Sequence, residues 1–270
     1  CMNPLTSLSK LKETIIKKKI SWNSMRKLFF YILTFIIIGC DNNNDISEIP
    51  FISHESISFK KSQDNIIQDS LILTINFTDG DGDLGLSNEE IYYPYHPYNA
   101  IIDENLNWIT IGSKEITPPL YVYEPNGLLS LYSNEDNRPS FNCENYIIDT
   151  ISSSTELDTF YIQKNENNKN IYVEFYRKVG NEFEFIDWKK IFDEEYGCGI
   201  DFNSRFPPLN IGNSSQLLNG KLRYGMVSYG FDMVLKNDIF KLKVYIKDRA
   251  LNQSNIIETP EVTLEEITIN

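Results

Sequence analysis

The most regular stretch of the chain is Ser70–Phe77, with the sequence SLILTINF. Its apolar residues Leu71, Leu73, Ile75 and Phe77 occupy every second position, which puts all four on one face of a β-strand. A strand with one apolar face must bury that face against a second layer of structure. This stretch therefore predicts a sheet that packs on a hydrophobic core.

Short segments with a similar pattern recur on both sides of this stretch and are separated by Gly, Pro and Asn. Asp187–Tyr196 suits one short helix, and Gly180, between two candidate strands, predicts a hairpin turn. Many short strands with few helices are typical of an antiparallel β-sandwich or barrel. The other candidate strands are Ser56–Lys60, Trp108–Ile111, Leu120–Tyr123, Ile171–Arg177, Phe183–Trp188, Leu222–Ser228, Phe240–Ile246 and Val262–Ile269.

Length and composition narrow the class of protein. The chain has 270 residues, of which 41% are hydrophobic, so it can bury a core and is too apolar for a disordered protein. Its formal net charge of −13 argues against nucleic acid as a partner, because phosphates attract a basic face. No GxSxG, HExxH or phosphate-binding Gly loop occurs, and two His with scattered Cys do not match the common zinc spacings. We therefore expect a protein that is not an enzyme.

The basic residues near the N-terminus form part of a secretion signal. Met25-Arg26-Lys27 precedes Leu28–Ile38, an apolar run that is too short for a stable membrane span. The following Gly39-Cys40 resembles the bacterial lipobox, in which the signal is cut before a Cys that carries a diacylglycerol. This resemblance implies that acylation of Cys40 anchors the chain to a membrane. The alternative is a plain signal peptide or a buried helix with a chance Cys.

The predicted domain organisation follows from this signal. Residues 25–39 are the lipoprotein signal peptide, and residues 40–50 are the lipidated Cys with a polar tether. Residues 51–270 are the sandwich, with a long insertion at about residues 87–168 that is rich in Tyr, Pro and Asn. Residues 1–24 are either an over-extended reading frame or a long n-region of the signal. Without the basic leader, the remaining chain is still more acidic.

An acidic loop directly follows the first strand described above. Asp79, Asp81 and Asp83 alternate with Gly, so their carboxylates converge and repel one another unless a hard cation lies among them. Glu90 lies where an EF-hand has its bidentate ligand, but Leu84 occupies the position at which that loop needs Gly, which argues against an EF-hand. We expect a Ca²⁺-binding turn at the end of a β-strand. The alternative is a solvated Asp-Gly turn without metal.

A second loop is expected at the same end of the sandwich. If Ser70–Thr78 and Phe240–Lys247 are the second and sixth strands of an immunoglobulin-like sandwich, the loops that follow them emerge together. A cation held there would stiffen the junction between tether and domain. The full set of predicted ligands is Asp79, Asp81, Asp83, Gly85, Glu90 and Asp248.

Two cysteines remain in the exported part of the chain besides Cys40. They are Cys143 and Cys198, and outside the cytoplasm such a pair usually forms a disulfide. Two buried free thiols are the alternative. A bridge would pin the insertion to the Gly197-Cys198-Gly199 turn.

The insertion also contains a run of Tyr and Pro. Aromatic rings on a rigid loop could form a ligand platform that stacks on sugar rings or grips a protein partner. Alternatively, these rings cover an edge of the sandwich. The rings belong to Tyr92, Tyr93, Tyr95 and Tyr98.

Five segments together resemble a group of uncharacterised Bacteroidota lipoproteins. They are the lipobox, INFTDGDGDLGLS (75–87), CGIDFNSRFPPL (198–209), KLRYGMVSYGF (221–231) and IKDRALNQSNIIETPEVTL (246–264). The resemblance covers nearly all of residues 50–264. It implies an immunoglobulin-like antiparallel β-sandwich with long insertions on the envelope, and it supplies no catalytic residues.

These features together lead us to expect an outer-membrane lipoprotein on the periplasmic or cell-surface side. Its role would be non-catalytic, in binding or in structure, with Ca²⁺ as the candidate cofactor. Its partners would be the membrane, through the lipid anchor, and an envelope protein or a polysaccharide. The alternative is an accessory protein for surface glycan binding or degradation, which requires the four Tyr rings to form one exposed platform.

Overall fold

The computed structural model describes residues 46–62, 68–150, 156–193, 197–209 and 217–269. The predicted signal peptide, residues 1–24 and Cys40 lie outside the described residues. Within them, the chain is mainly β, as predicted, and no helix is both long and apolar enough to cross a membrane. The strands are β1 (Phe51–Lys60), β2 (Asp69–Asp79), β3 (Tyr98–Ile102), β4 (Leu120–Tyr123), β5 (Leu129–Ser133), β6 (Tyr146–Thr150), β7 (Leu157–Lys164), β8 (Ile171–Val179), β9 (Glu182–Phe185), β10 (Leu218–Ser228), β11 (Phe240–Ile246) and β12 (Ile257–Glu258), and the α-helices are α1 (Trp188–Phe192) and α2 (Phe231–Val234).

Two antiparallel sheets form the sandwich. The first has the order β1-β2-β10, and the alternation along β2 buries Leu71, Leu73 and Ile75 completely. The second has the order β12-β11-β8-β9, and its residues Leu242 and Val244 are equally buried. The two apolar faces contribute to one core, so the predicted antiparallel β-sandwich is confirmed.

An aromatic cluster lies within this core. The ring centroids of its four members lie 5.0–6.3 Å apart. These members are Phe175 of β8, Trp188 of α1, Phe231 of α2, and Phe202. Asp187 caps the start of α1, because its side chain accepts a hydrogen bond from a backbone N–H of the first turn. The cap and the buried Trp188 hold this short helix on the sandwich.

The insertion forms a sheet of its own with the strand order β5-β4-β3-β7-β6, which we call the insertion sheet. The sequence predicted one of these strands, Leu120–Tyr123, and did not predict the other four. The strands β3, β5 and β6 have five residues each and show too little alternation to be recognised from the sequence. The buried residues of its small core are Ile101, Ile109, Leu120, Val122, Tyr146 and Tyr161.

Some element boundaries differ from the prediction. Trp108–Ile111 and Val262–Ile269 form isolated bridges instead of strands, because turns interrupt them. The helix predicted over Asp187–Tyr196 is limited to α1 among the described residues. The predicted hairpin turn lies between β8 and β9, where Gly180 has a φ of 63° that suits glycine.

One disulfide joins the insertion to the sandwich. Cys143 and Cys198 are bonded, with their Cα atoms 4.9 Å apart and a sequence separation of 55 residues, which confirms the predicted pair. Closing a loop of this length in the unfolded chain stabilises the fold by about 4 kcal/mol in the chain-entropy model. The insertion sheet is therefore covalently fastened near the turn that contains Gly197.

Candidate metal centre

The acidic loop, Asp79–Asp83, brings three carboxylates together at the end of β2. One oxygen each of Asp79, Asp81 and Asp83 lies within 4.8 Å of the other two. Gly82 has a φ of 73°, a left-handed conformation that allows the loop to turn back on itself. The alternation of Asp and Gly thus produces the convergence that the sequence predicts.

Asp79 has the most unusual environment in this group. The residue is 0% exposed, and its Oδ2 accepts a hydrogen bond from the backbone N–H of Asp83 at 3.0 Å. Its Oδ1 is buried and has no hydrogen-bond partner among the described residues, and the same holds for Oδ1 of Asp81. A buried oxygen left without a donor costs roughly 1–3 kcal/mol, and more when it is charged. Two such atoms in one acidic loop therefore favour either the neutral acid or a positive partner.

The pKa values of these carboxylates reflect this environment. Burial, followed by the charges of Asp81 and Asp83, raises the pKa of Asp79 to about 7. Burial, followed by the charges of Asp248 and Asp81, raises the pKa of Asp83 to about 6. Burial and mutual repulsion thus disfavour the ionised forms at neutral pH when no cation is bound.

The turn after β11 closes the site from the other side. The backbone N–H groups of Arg249 and Ala250 donate to the two oxygens of Asp83 at 3.3 and 3.1 Å. The buried Asp248 accepts hydrogen bonds from the backbone and side chain of Asn252 at 2.7 and 2.8 Å. Burial raises the pKa of Asp248, and the neighbouring acidic loop raises it further. The loops after β2 and β11 therefore meet at one end of the sandwich, as expected.

Glu90 and Gly85 have different roles from those predicted. The Glu90 carboxylate forms an ion pair with Arg249 and accepts a hydrogen bond from the Ser87 N–H at 2.8 Å. Burial opposes ionisation, but these contacts hold the pKa of Glu90 below its usual range. Gly85 has a φ of 108°, and a Cβ there would lie 2.4 Å from the Pro207 carbonyl oxygen. The structure thus places Glu90 with Arg249 and Gly85 at a close backbone contact, and neither joins the three Asp.

The end of the predicted tether lies against the acidic loop. The Gly80 N–H donates to the Ser47 carbonyl at 3.0 Å. A Cβ at Gly80 would lie 2.4 Å from the Ile46 carbonyl oxygen, so this approach requires glycine. The segment that leads back toward Cys40 therefore contacts the candidate metal centre directly.

The four Tyr rings do not form the predicted platform. Tyr95 is only 7% exposed, and its hydroxyl donates to the Arg249 carbonyl. Tyr92 and Tyr93 are 59% and 47% exposed, whereas Tyr98 is half-buried. A platform that needs all four rings at the surface is therefore ruled out.

Arg205 is an organising residue that the sequence analysis missed. Its guanidinium donates to the carbonyls of Ser87, Glu90 and Tyr95 at 2.8, 3.0 and 2.6 Å, and to that of Asn168. These hydrogen bonds connect the segment after the acidic loop to the sandwich. A single Arg in the apolar and Pro-rich context FNSRFPP is a weak sequence signal for such a role.

Known proteins offer no guide to this site. No family model, no curated protein and no solved structure matches the chain. Its function is therefore inferred from the chemistry of the described residues.

Proposed function

We propose that this chain is a lipid-anchored envelope protein with a non-catalytic role, stabilised by a Ca²⁺ ion at the acidic loop. The observation that carries the proposal is the buried Oδ1 of Asp79, which has no donor among the described residues and lies beside two further carboxylates. Buried polar atoms in native proteins almost always have a partner. A cation supplies that partner here.

The donor set suits Ca²⁺ better than other common ions. The candidate ligands are all oxygens, whereas zinc sites favour His and Cys, and Mg²⁺ sites usually keep several waters and one or two carboxylates. Two oxygens that share one Ca²⁺ at about 2.4 Å lie at most about 4.8 Å apart. One oxygen each of the three Asp lies within this distance of the other two. Water would complete the remaining coordination positions.

The location of the acidic loop supports a stabilising role for the ion. The loop contacts the tether through Gly80 and the turn after β11 through Asp83. An ion that neutralises the loop removes the repulsion between these segments. It thereby stiffens the junction through which the chain continues to its anchor.

The lipobox-like Cys40 supports the membrane part of the proposal. Six residues from Cys40 to Ile46 span at most roughly 20 Å when fully extended, so a lipid on Cys40 keeps the acidic end close to the membrane surface. Radioactive palmitate fed to bacteria that express the full chain should label it, and Cys40→Ser should abolish the label. Equal labelling of both proteins would reject the anchor.

Calorimetric titration of the full chain in detergent with CaCl₂ tests the metal. We expect saturable heat and a higher melting temperature, both lost in Asp79→Asn. Asp103→Asn is the matched control, because Asp103 is a buried Asp whose two oxygens already accept hydrogen bonds. Absence of heat and of a shift in melting temperature at millimolar Ca²⁺ would show that the protein does not bind the ion. Heat that persists in Asp79→Asn would show that the ion binds somewhere other than the acidic loop.

The alternative function is that of a glycan-binding or glycan-degradation accessory protein, and it loses its predicted platform because Tyr95 is buried. The chain offers another surface for a sugar, which lies between the insertion sheet and the sandwich. It shares only Tyr98 with the predicted platform, so a sugar bound there is a separate proposal, and the alternative that requires all four rings at the surface fails.

A further inference from the structure

A cleft of about 440 Å³ lies between the insertion sheet and the sandwich. Tyr98, Ile162 and Lys164 line it from the insertion sheet, and Lys169 and Asp201 line it from the other side. Its volume falls within the range of small-molecule sites, which often occur where two structural units meet. The cleft shares no lining residue with the acidic loop.

The charged side chains of the cleft neutralise one another in a continuous series. The Glu144 carboxylate lies between Lys164 and Lys189, at 3.1 and 2.8 Å from their Nζ atoms. The Asp201 carboxylate lies between Lys189 and Lys169, at 3.3 and 2.7 Å. Glu166, which also lines the cleft, balances the remaining positive charge. A charged ligand would have to disrupt these pairs, so the cleft favours a neutral ligand.

These ion-paired groups can still form further hydrogen bonds. An ammonium has three donors and a carboxylate has about four acceptor sites, of which an ion pair uses only some. The side chains of Lys164 and Glu144 are 44% and 42% exposed, so a ligand can reach them. Donors and acceptors thus alternate along the cleft. Hydroxyl groups match this pattern because each one both donates and accepts.

Tyr98 supplies an apolar surface beside these polar groups. Its hydroxyl donates to Asp149 Oδ2 at 3.0 Å, which helps to fix the ring. Pro97, Ile147 and Ile162 add further apolar lining. Sugars carry hydroxyl groups at the ring edge and C–H groups on the ring faces, so they suit a site that combines polar side chains with an aromatic ring.

The disulfide links the two sides of the cleft. Cys143 directly precedes Glu144, and Cys198 lies shortly before Asp201 in the sequence. The bond therefore limits how far the two acidic side chains can separate. Such preorganisation lowers the entropic cost of binding.

We propose that this cleft binds a neutral oligosaccharide. A neutral peptide is the main competing ligand, but peptides are commonly recognised by an open strand edge or by apolar pockets. Polar side chains that form an ion-pair series dominate this lining instead. The proposal goes beyond the Ca²⁺-stabilised anchor and does not depend on it, so binding should be unchanged in EDTA.

Titration calorimetry of the full chain in EDTA, with four neutral hexasaccharides, tests the proposal. The probes are cellohexaose, xylohexaose, mannohexaose and laminarihexaose, compared with hexagalacturonic acid, hexaglucosamine and a (Gly-Ser)₆ peptide. We expect at least one neutral hexasaccharide to bind and the charged sugars and the peptide not to bind.

Two cleft variants and two controls locate the binding site. Lys189→Met should keep the fold, because Glu144 and Asp201 each retain another Lys partner. We expect Lys189→Met and Tyr98→Ala each to weaken binding about tenfold, which corresponds to the loss of one or two hydrogen bonds or an equivalent ring contact. The controls are Lys221→Met, which removes an exposed ion-pairing Lys on β10, and Tyr92→Ala, which removes an exposed ring; both should bind as the parent does.

Failure of all four neutral hexasaccharides to bind would overturn the proposal. Preferential binding of a charged sugar or of the peptide would overturn the ligand class. Neutral-sugar binding that is unchanged in both Lys189→Met and Tyr98→Ala would overturn the location.

Discussion

Two turns of this protein share a sequence pattern and a hydrogen-bond pattern but differ in electrostatics. Asp103–Asn107 (DENLN) follows β3 of the insertion sheet, and Asp248–Asn252 (DRALN) follows β11 of the sandwich. Each has a Leu at its fourth position with a positive φ, 64° in the first turn and 67° in the second. In each, the Asn donates its backbone and side-chain N–H groups to the Asp carboxylate, at 2.8 and 3.1 Å in the first and 2.7 and 2.8 Å in the second.

The pKa values of the two Asp residues are shifted in opposite directions. Both residues are buried, which favours the neutral acid. For Asp103, hydrogen bonds from Asn107 and Thr117 outweigh burial, so its pKa is lowered. For Asp248, burial prevails and the charge of Asp81 adds to it, so its pKa is raised.

The difference arises from where the backbone N–H groups of each turn point. The Asn105 N–H donates to Asp103 within its own turn at 2.9 Å. The corresponding N–H, that of Ala250, donates to Asp83 of the acidic loop at 3.1 Å and also lowers the pKa of Asp248, so the two acids share it. One turn therefore keeps this donor for its own Asp, whereas the other shares it with a neighbouring acid and lies in a negative environment. The same local motif thus keeps its carboxyl ionised in one place and disfavours ionisation in the other.

The largest expected difference between the two turns is in the free energy of unfolding when the side chain of each Asp is truncated to Ala. Asp103→Ala leaves the backbone N–H groups of Asn105, Asn107 and Thr117 without their acceptor, so we expect the free energy of unfolding to fall by about 3 kcal/mol. Urea unfolding at pH 7 should give this loss with or without Ca²⁺. Asp248→Ala should cost less in EDTA, because it also removes a repelled charge, and more in Ca²⁺. Equal losses for both variants in both conditions would contradict this account.

The next largest difference should be in how each turn contributes to stabilisation by Ca²⁺. At a free Ca²⁺ concentration one hundred times Kd, the ion should add about 2.7 kcal/mol to the free energy of unfolding, which raises the melting temperature by about 8 °C. Scanning calorimetry should give the full rise for Asp103→Asn and a clearly smaller rise for Asp248→Asn. The opposite order would exclude a metal beside the β11 turn.

The pH dependence of stability should also differ between the two regions. In EDTA, Asp79 and Asp83 bind more protons in the folded protein than in the unfolded chain between about pH 4 and 7, because their pKa values are raised to about 7 and about 6. The free energy of unfolding should therefore fall as pH rises through this window, by on the order of 2 kcal/mol after allowance for solvent screening. Asp79→Asn should flatten this slope. The lowered pKa of Asp103 acts below about pH 5, so a slope between pH 5 and 7 that depends on Asp103 would contradict the assignment.

The smallest expected effect concerns the Leu residue that both turns hold at positive φ. Leu106 is exposed, so Leu106→Gly relieves backbone strain with little loss of packing, and we expect a gain of about 0.5 kcal/mol in the free energy of unfolding. Leu128→Gly is the matched control, because Leu128 is an exposed loop Leu without a positive φ, and it should be neutral or destabilising. A loss of stability in Leu106→Gly equal to that of the control would show that φ carries no strain there.

The residues whose roles the sequence revealed are those whose roles follow from backbone periodicity or from residue counts. The alternation in Ser70–Phe77 predicted the buried face of β2, and the spacing of Asp79, Asp81 and Asp83 predicted their convergence. The pairing of Cys143 with Cys198 was predicted because the sequence after Cys40 contains no other Cys. In each case, backbone periodicity or simple counting contains the necessary information.

The sequence-based assignments failed where a distant residue controls the outcome. Glu90 has the spacing of a ligand, but Arg249 lies beside it in the fold and forms an ion pair with it. Tyr95 belongs to a run of Tyr and Pro for which the sequence predicts an exposed loop, but hydrogen bonds with Arg205 and Arg249 hold it in a buried position. Pairings between residues more than a hundred positions apart leave no periodic signal in a single sequence.

The sequence by itself determined the β class of the protein, the acidic loop and the disulfide, because strand alternation, Asp-Gly turns and Cys pairing are local or countable properties. Tertiary structure decided which of two DxxLN turns meets three carboxylates, and it created the cleft where Glu144 and Asp201 share Lys189. Charge interactions and burial depend on distance in space, and the fold alone sets those distances.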